Sequence, residues 1–250
     1  IQHHTATING VEMHYVEAGK GPLVVLLHGF PDFWYSWRHQ IPAIANAGYR
    51  VIAPDMRGYA QTEAPPKVSD YHADTLTADI VALIEHAGDG PAHLVGHDWG
   101  AAVAWWVAMW HPESIATCSI LNVPHPKRMN AGLWRPSQLL RSWYMFFFQI
   151  PWLPERALKA GALGMVKKSL QATRRPGAVT KADLEEYEKA FSRSDAMRGP
   201  VNYYRSAMRS RGALAKRLNV IDAPTMVIWG RHDAYLGLHM AEPDRADVPN

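Results

Sequence analysis

Short, continuous runs of apolar residues limit what this chain can fold into. These runs are Leu23–Leu27, Val51–Ala53, Ala92–Val95, Ile115–Leu121 and Thr225–Trp229. They are typical of strands buried on both faces, as in a parallel sheet covered by helices. Helical patterns lie among them at Thr75–His86 and Trp99–His111, and Thr5–Ile8 and Val11–Glu17 flank Asn9-Gly10, which predicts a tight hairpin. The pattern therefore predicts an α/β fold with a mostly parallel sheet and helices on both faces.

The alternation of strands and helices stops after Leu121 and resumes only at Thr225. The residues between them are rich in Trp, Phe, Met and Arg and show helix and loop patterns. A helical lid inserted into the sheet domain explains this interruption. We therefore predict an α/β core at residues 1–125 and 219–250 and a helical cap at residues 126–218.

Composition restricts the partners and the compartment. The chain has 250 residues, 48% of them hydrophobic, and a formal net charge of +3. Its basic cluster, Arg205–Arg217, is interpreted as a solvated helix face, so we expect no nucleic-acid partner. Cys118 is the only cysteine, the N-terminus has no signal pattern, and no apolar run reaches the ~18 residues of a membrane span. We expect a cytoplasmic protein without a membrane span, either a monomer or a homodimer.

The segment VGHDWGA, residues 95–101, follows one predicted strand and opens a predicted helix. Gly96-His97-Asp98-Trp99-Gly100 fits the G-x-S-x-G nucleophile elbow except that Asp98 replaces the serine. The two glycines allow the strained turn that exposes residue 98, and the helix N-terminus favours an ionised carboxylate there. A simple helix N-cap would also explain an aspartate, but it requires neither the glycines nor the strand.

A carboxylate at this position favours a particular chemistry. Attack by Asp98 on an ester or amide would give an anhydride, whereas attack on a saturated carbon gives an ester that water can cleave. The residue therefore argues against a peptidase or esterase and favours epoxide opening or halide displacement. Because H-E-x-x-H, Cys/His zinc spacing, G-x-G-x-x-G and Walker A motifs are all absent from the sequence, we expect no metal and no other cofactor.

Several motifs together resemble those of the α/β-hydrolase-fold epoxide hydrolases, whose close relatives are the haloalkane dehalogenases. They are His28-Gly29-Phe30-Pro31, the segment PDMRGYAQTEAP (Pro54–Pro65), the Asp98 elbow, LNVPHP (Leu121–Pro126) and WGRHD (Trp229–Asp233). The first and third together are specific, whereas the others alone are weak. The resemblance spans nearly the whole chain and implies an α/β-hydrolase fold with a cap.

The resemblance also implies roles for individual residues. In that family, backbone amides of the H-G-x-P loop and of the residue after the nucleophile form an oxyanion hole, which corresponds here to Phe30 and Trp99. Two cap tyrosines of the family bind the epoxide oxygen, and Tyr144 in WYMFFFQIP and Tyr204 in NYYR match them. The predicted substrate pocket contains Phe30, Trp99, Trp143 and Phe148. The aromatic cap indicates a small, apolar epoxide as substrate.

The remaining members of the catalytic triad follow from chain order. In this fold the order is nucleophile, acid, histidine, so Asp233, after the strand Thr225–Trp229, matches the acid that orients the histidine. The family places the histidine after one further strand, and we therefore expect it after Asn250, together with the last strand and helix. Four other histidines are not assigned this role: His28, His97, His232 and His239.

Two alternatives to an epoxide hydrolase stay open at this point. A haloalkane dehalogenase needs side-chain N–H donors for the halide, and Phe30 stands where the family often has one. The Trp99 indole supplies a first donor, and a cap tryptophan would have to supply the second: Trp134, Trp143 or Trp152. A non-catalytic ligand-binding protein is favoured only by the missing histidine. The first hypothesis is an epoxide hydrolase that forms a covalent alkyl ester on the elbow carboxylate and cleaves it with activated water, giving a vicinal diol.

Overall fold

A single seven-stranded sheet organises the computed structural model, which describes residues 1–158, 161, 164, 179–193 and 195–250. The strands are β1 (Gln2–Ile8), β2 (Val11–Gly19), β3 (Leu23–Leu27), β4 (Arg50–Pro54), β5 (Ala92–His97), β6 (Ile115–Leu121) and β7 (Thr225–Ile228). Their order is β1-β2-β4-β3-β5-β6-β7, with β2 antiparallel to both neighbours and every pair from β4 to β7 parallel. The prediction of a mostly parallel sheet is confirmed.

Both helices predicted from the sequence, at residues 75–86 and 99–111, are present within one or two residues of their predicted bounds. They are α1 (Gln40–Asn46), α2 (Ala73–Ala87), α3 (Trp99–Trp110), α4 (Pro126–Gly132), α5 (Pro136–Arg141), α6 (Trp143–Phe147), α7 (Lys181–Phe191) and α8 (Arg198–Leu214). Helices α4 to α8, and a helical stretch at residues 153–158, lie between β6 and β7 in the chain, where the cap was expected. The boundaries at residues 126 and 218 stay a prediction. No helix in the described ranges is long and apolar enough to cross a membrane.

The central strand β3 shows why the apolar runs are continuous. Leu23, Val25 and Leu27 pack into the hydrophobic cluster that includes residues of α2 and α3. The alternate residues Val24 and Leu26 pack into a second cluster that contains Trp37 and Ile41 of the α1 region. Because side chains alternate between the two faces of a strand, helices on both faces require apolar residues at every position. The predicted two-sided covering is confirmed.

The first hairpin is tied to α2 by a buried ion pair. Asn9 and Gly10 both have positive φ, at +45° and +78°, as a type I′ turn requires. The Asn9 amide donates to Asp79 Oδ1 at 2.8 Å, and the Arg57 guanidinium donates to both Asp79 oxygens at 2.6 and 2.7 Å. Arg57 and Asp79 are 5% and 2% exposed, so the pair is shielded from water. Nothing in the pattern of α2 had indicated this contact.

The basic run on α8 differs from its prediction as a solvated face. Arg205 is only 8% exposed, and its guanidinium pairs with Glu155. It also donates to the carbonyl oxygens of Phe148, at 3.0 Å, and Ile150, at 2.7 Å. The prediction is therefore wrong for the first residue of the run, which joins the cap segments that carry the two matched tyrosines.

We predict that Asp79→Ala lowers the free energy of unfolding by about 3 kcal/mol or more, because it leaves the Arg57 charge buried without a partner. Urea unfolding followed by far-UV circular dichroism measures the change. The matched control is Asp74→Ala on the same helix, since Asp74 is 64% exposed and pairs with the exposed Arg217. That variant should lose less than about 1 kcal/mol. Equal losses in the two variants would contradict the role given to the buried pair.

Candidate active site

Asp98 sits at a sharp bend between β5 and α3, as the elbow motif predicts. Its backbone has φ +51° and ψ −122°, a conformation that an L-residue rarely adopts. Gly96 permits the bend, because a Cβ there would lie 2.6 Å from both the backbone nitrogen and the Cα of Ala101. A Cβ on Gly29 would lie 2.7 Å from Asp98 Cγ. Glycine at these positions is therefore a steric requirement of the bend, and the strained backbone presents the carboxylate.

Backbone amides converge on the Asp98 carboxylate. The Phe30 N–H donates to Oδ1 at 2.7 Å, and the Trp99 N–H at the start of α3 lowers the pKa of the same carboxyl. These are the two amides predicted for an oxyanion hole. One carboxylate oxygen therefore already occupies the place where negative charge would develop on an ester carbonyl.

Burial raises the pKa of the Asp98 carboxyl above its ordinary value. Nearby His97 and the amides of Phe30 and Trp99 act in the opposite direction, and Asp32 adds to the rise. The helix N-terminus, by itself, favours the charged form. Desolvation is the larger effect, so the nucleophile is held at a higher pKa than a surface aspartate.

His28 keeps the loop before Phe30 in place. This histidine is fully buried, its Nε2 accepts the Met56 N–H at 2.9 Å, and its Nδ1 lies 3.1 Å from the Gly29 carbonyl oxygen. Both ring nitrogens are thus used in backbone hydrogen bonds. Burial lowers the pKa of His28, which keeps the ring neutral for these bonds.

The two predicted tyrosines meet at the Asp98 carboxylate. The rings of Tyr144 and Tyr204 lie edge to face with centroids 5.8 Å apart, and both side chains line the same cavity as Asp98. Burial raises the pKa of both phenols, and the negative charge of Asp98 raises them further. Both tyrosines are therefore neutral O–H donors at neutral pH. They lie side by side although α6 and α8 are distant in sequence.

The cavity that contains these groups has a volume of about 170 Å³ and mostly apolar walls. Of the four predicted pocket residues, Trp99 lines it. Phe30 and Phe148 pack against Tyr204, with ring centroids at 5.9 and 4.8 Å, and so lie behind the wall. Trp143 is 63% exposed on the outer side of α6, so the pocket assignment of Trp143 is wrong. A helix as short as α6 has too few residues for its sequence to show which face is buried.

Asp233 follows β7 and is held by several hydrogen bonds. Its Oδ1 accepts the backbone N–H groups of Tyr235, at 2.7 Å, and Leu236, at 2.8 Å. Its Oδ2 accepts a hydrogen bond from the Asn122 amide, while Asn122 Oδ1 accepts the Gly230 N–H at 3.1 Å. Asn122 belongs to the LNVPHP motif but was not predicted to be a site residue. The position of Asn122 directly after β6 could have identified it as a site residue, because neighbouring parallel strands bring their carboxyl ends together.

The described residues contain neither a histidine that lines the cavity nor a cluster of metal ligands. His232 and His239 are exposed and border a polar surface pocket beside Asp233. The second halide donor considered for a dehalogenase is not placed at the nucleophile either. Trp134, Trp143 and Trp152 are 59%, 63% and 64% exposed and do not line the cavity.

Comparisons with known proteins agree with this geometry. Residues 22–250 match a family model for the alpha/beta hydrolase fold. The chain is 40% identical over 245 residues to AB hydrolase superfamily protein YfhM of Bacillus subtilis, covering 97% of this chain and 85% of that protein. It is 38% identical over 250 residues to human Epoxide hydrolase 4, covering 97% of this chain and 68% of that protein.

Solved structures of epoxide hydrolases also superpose on this chain. An epoxide hydrolase from Vigna radiata superposes with a TM-score of 0.84 at 36% identity, over 100% of this chain and 88% of that chain. A Bacillus megaterium epoxide hydrolase in complex with an inhibitor gives a TM-score of 0.89 at 30% identity, over 99% of this chain and 89% of that chain. The chain belongs to the α/β-hydrolase-fold family and, within it, groups with the epoxide hydrolases.

Proposed function

We propose that this epoxide hydrolase acts through a covalent alkyl ester on Asp98 and gives a vicinal diol. One observation carries the proposal: the Asp98 carboxylate and two neutral phenols line one apolar cavity, and the Phe30 amide donates to the same carboxylate at 2.7 Å. A carboxylate supplies the nucleophile, and the phenols supply the hydrogen bonds that an opening epoxide needs.

In the first step, a carboxylate oxygen of Asp98 attacks one carbon of the epoxide, and the bond from that carbon to the ring oxygen breaks. The electron pair of that bond moves to the ring oxygen, which takes a proton from Tyr144 or Tyr204. The negative charge of Asp98 raises the pKa of both phenols before the reaction. Ester formation removes that charge, so the phenols become stronger acids at the moment when the new alkoxide needs a proton.

In the second step, water attacks the ester carbonyl of residue 98. The carbonyl oxygen becomes an oxyanion beside the amides of Phe30 and Trp99, and the Phe30 amide already donates to an oxygen of the resting carboxylate. Collapse of the intermediate breaks the bond from the carbonyl carbon to the alkyl oxygen, which takes up the proton that the activated water gave to its base, and the diol is released. The acid formed on residue 98 gives its proton to the tyrosinate left by the first step, which restores the carboxylate and the phenol. We propose that a histidine after Asn250, oriented by Asp233, activates the water, since Asp233 is held rigidly after β7.

We predict that Asp98→Asn abolishes formation of an alkyl ester, with a loss of at least about a thousandfold in diol formation, because an amide is a far weaker nucleophile. Intact mass spectrometry after rapid mixing of the complete protein with styrene oxide measures the adduct. Asp233→Asn is the matched control, because it removes one charge without touching the nucleophile. It should still gain the mass of one epoxide and hold it longer. An adduct on Asp98→Asn would contradict the mechanism.

We predict that Tyr144→Phe and Tyr204→Phe each slow ester formation by about tenfold to a hundredfold, and that the double variant loses at least about a thousandfold. Each single variant keeps one O–H donor at the epoxide oxygen, whereas the double variant keeps none. Single-turnover quenching of tryptophan fluorescence measures the rate, since Trp99 lies beside the nucleophile. Tyr235→Phe is the control, because Tyr235 is 55% exposed and its ring lies outside the cavity. A double variant as fast as either single variant would refute the donor role.

We predict that ester formation is lost on acidification with a midpoint above ~4, the ordinary pKa of an aspartate, because burial raises the pKa of Asp98 and protonation removes the nucleophile. No loss should occur up to pH ~10, since the pKa values of the donor phenols are also raised. The single-turnover rate measured across pH tests both limbs. An acid midpoint at or below that of a surface aspartate would show that Asp98 is not desolvated in the active protein.

A further inference from the structure

The cavity at the nucleophile contains a second charged group. Asp98 and Arg211 are the only charged side chains among the described residues that line it. The rest of the wall is apolar or neutral, including Leu133, Met145 and Leu214. Arg211 is half-buried, so its guanidinium lies beside this apolar wall while part of the side chain stays exposed to solvent.

One face of α8 connects the reaction centre with this guanidinium. Tyr204, Ala207, Met208, Arg211 and Leu214 all line the cavity, at the i, i+3, i+4, i+7 and i+10 positions. Seven residues separate Tyr204 from Arg211, which corresponds to about 10.5 Å along a helix axis. The backbone positions of the predicted proton donor and of the arginine therefore lie two helical turns apart along one wall.

Arg211 is positioned by neutral groups. Its Nε donates to Asn130 Oδ1 at 3.1 Å and its Nη2 to the Asn130 carbonyl at 3.4 Å, while the guanidinium lies 4.7 Å from the Trp134 ring centroid. No acidic side chain of the described residues forms an ion pair with it. By contrast, Arg205 and Arg217 on either side pair with Glu155 and Asp74. Arg211 is thus oriented without being neutralised.

We propose that Arg211 is a specificity-determining residue that binds the carboxylate of an epoxide-bearing acid. This inference rests on the proposed function, because it assumes that the epoxide lies at Asp98. The guanidinium fork matches a carboxylate, and the apolar wall between the two ends matches a hydrocarbon spacer. An extended chain of C–C bonds of ~1.5 Å covers the axial distance with about eight bonds. The substrate class is therefore an apolar acid whose epoxide lies about eight bonds from its carboxylate.

Binding of a probe without an epoxide tests the anchor separately from catalysis. Decanoate and the uncharged decanamide have the same chain, and isothermal titration to the complete protein measures their dissociation constants. Decanoate should bind at least about tenfold more tightly than decanamide, and Arg211→Met should remove that difference. Arg211→Lys should restore part of it, because it keeps the positive charge. Arg209→Met is the matched control, since Arg209 is exposed on the same helix and does not line the cavity.

Turnover tests the substrate class. We expect wild type to prefer ω-epoxyundecanoate over its methyl ester in kcat/KM by at least about tenfold, and Arg211→Met to abolish this preference while changing the ester by less than about twofold. Equal losses for acid and ester, or a decanoate preference unchanged by Arg211→Met, would overturn the assignment. If no epoxide is hydrolysed by wild type, the proposed function fails, and the decanoate titration still decides whether Arg211 binds a carboxylate.

Discussion

The strained backbone of Asp98 is the constraint on which the other features of the site depend. A positive φ at a residue with a side chain is unfavourable by about 1–3 kcal/mol, and it persists only when the surrounding chain enforces it. Here the enforcement comes from glycines whose missing Cβ atoms let α3 and the Phe30 loop approach the bend. The same close approach brings the Phe30 amide to 2.7 Å from the carboxylate. The bend and the Phe30 amide, which is predicted to belong to an oxyanion hole, therefore depend on the same close packing.

A second set of contacts fixes the Phe30 loop from the cap side. Tyr187 on α7 donates to Asp32 Oδ1 at 2.5 Å, and Asp32 follows the Phe30-Pro31 segment directly. Nearby, Asp183 on α7 accepts a hydrogen bond from the Tyr35 hydroxyl at 3.0 Å and pairs with Arg38 at 2.8 Å. Since α8 carries Tyr204 and α7 holds this loop, the cap positions both a predicted proton donor and the loop that carries the Phe30 amide. Its attachment to the core is thus part of the active-site geometry.

Local patterns predicted the strands, the hairpin and the elbow, because each depends on neighbouring residues: apolar continuity, the Asn-Gly turn, and glycines around Asp98. The family resemblance identified Tyr144 and Tyr204, which meet although they lie on distant segments. Other residues whose role depends on such packing were not predicted correctly. Trp143 was placed in the pocket because the cap is aromatic, yet α6 turns it outward. Arg205 belongs to a basic run, yet it is buried, and it pairs with Glu155 and donates to two carbonyl groups. Asn122 acquires its partner Asp233 only when β6 and β7 pair.

The distribution of charge in the cavity links these structural features to substrate choice. In the proposed mechanism, the buried Asp98 carboxylate becomes a neutral ester, which removes a charge that raises the pKa of both tyrosines and so favours proton donation to the new alkoxide. The Arg211 guanidinium, two turns further along α8, acts on substrate binding instead. It contributes equally before and after the carboxylate is esterified, which makes it a determinant of binding more than of the chemical step. One apolar cavity therefore separates the groups that change charge during catalysis from the group that selects the substrate.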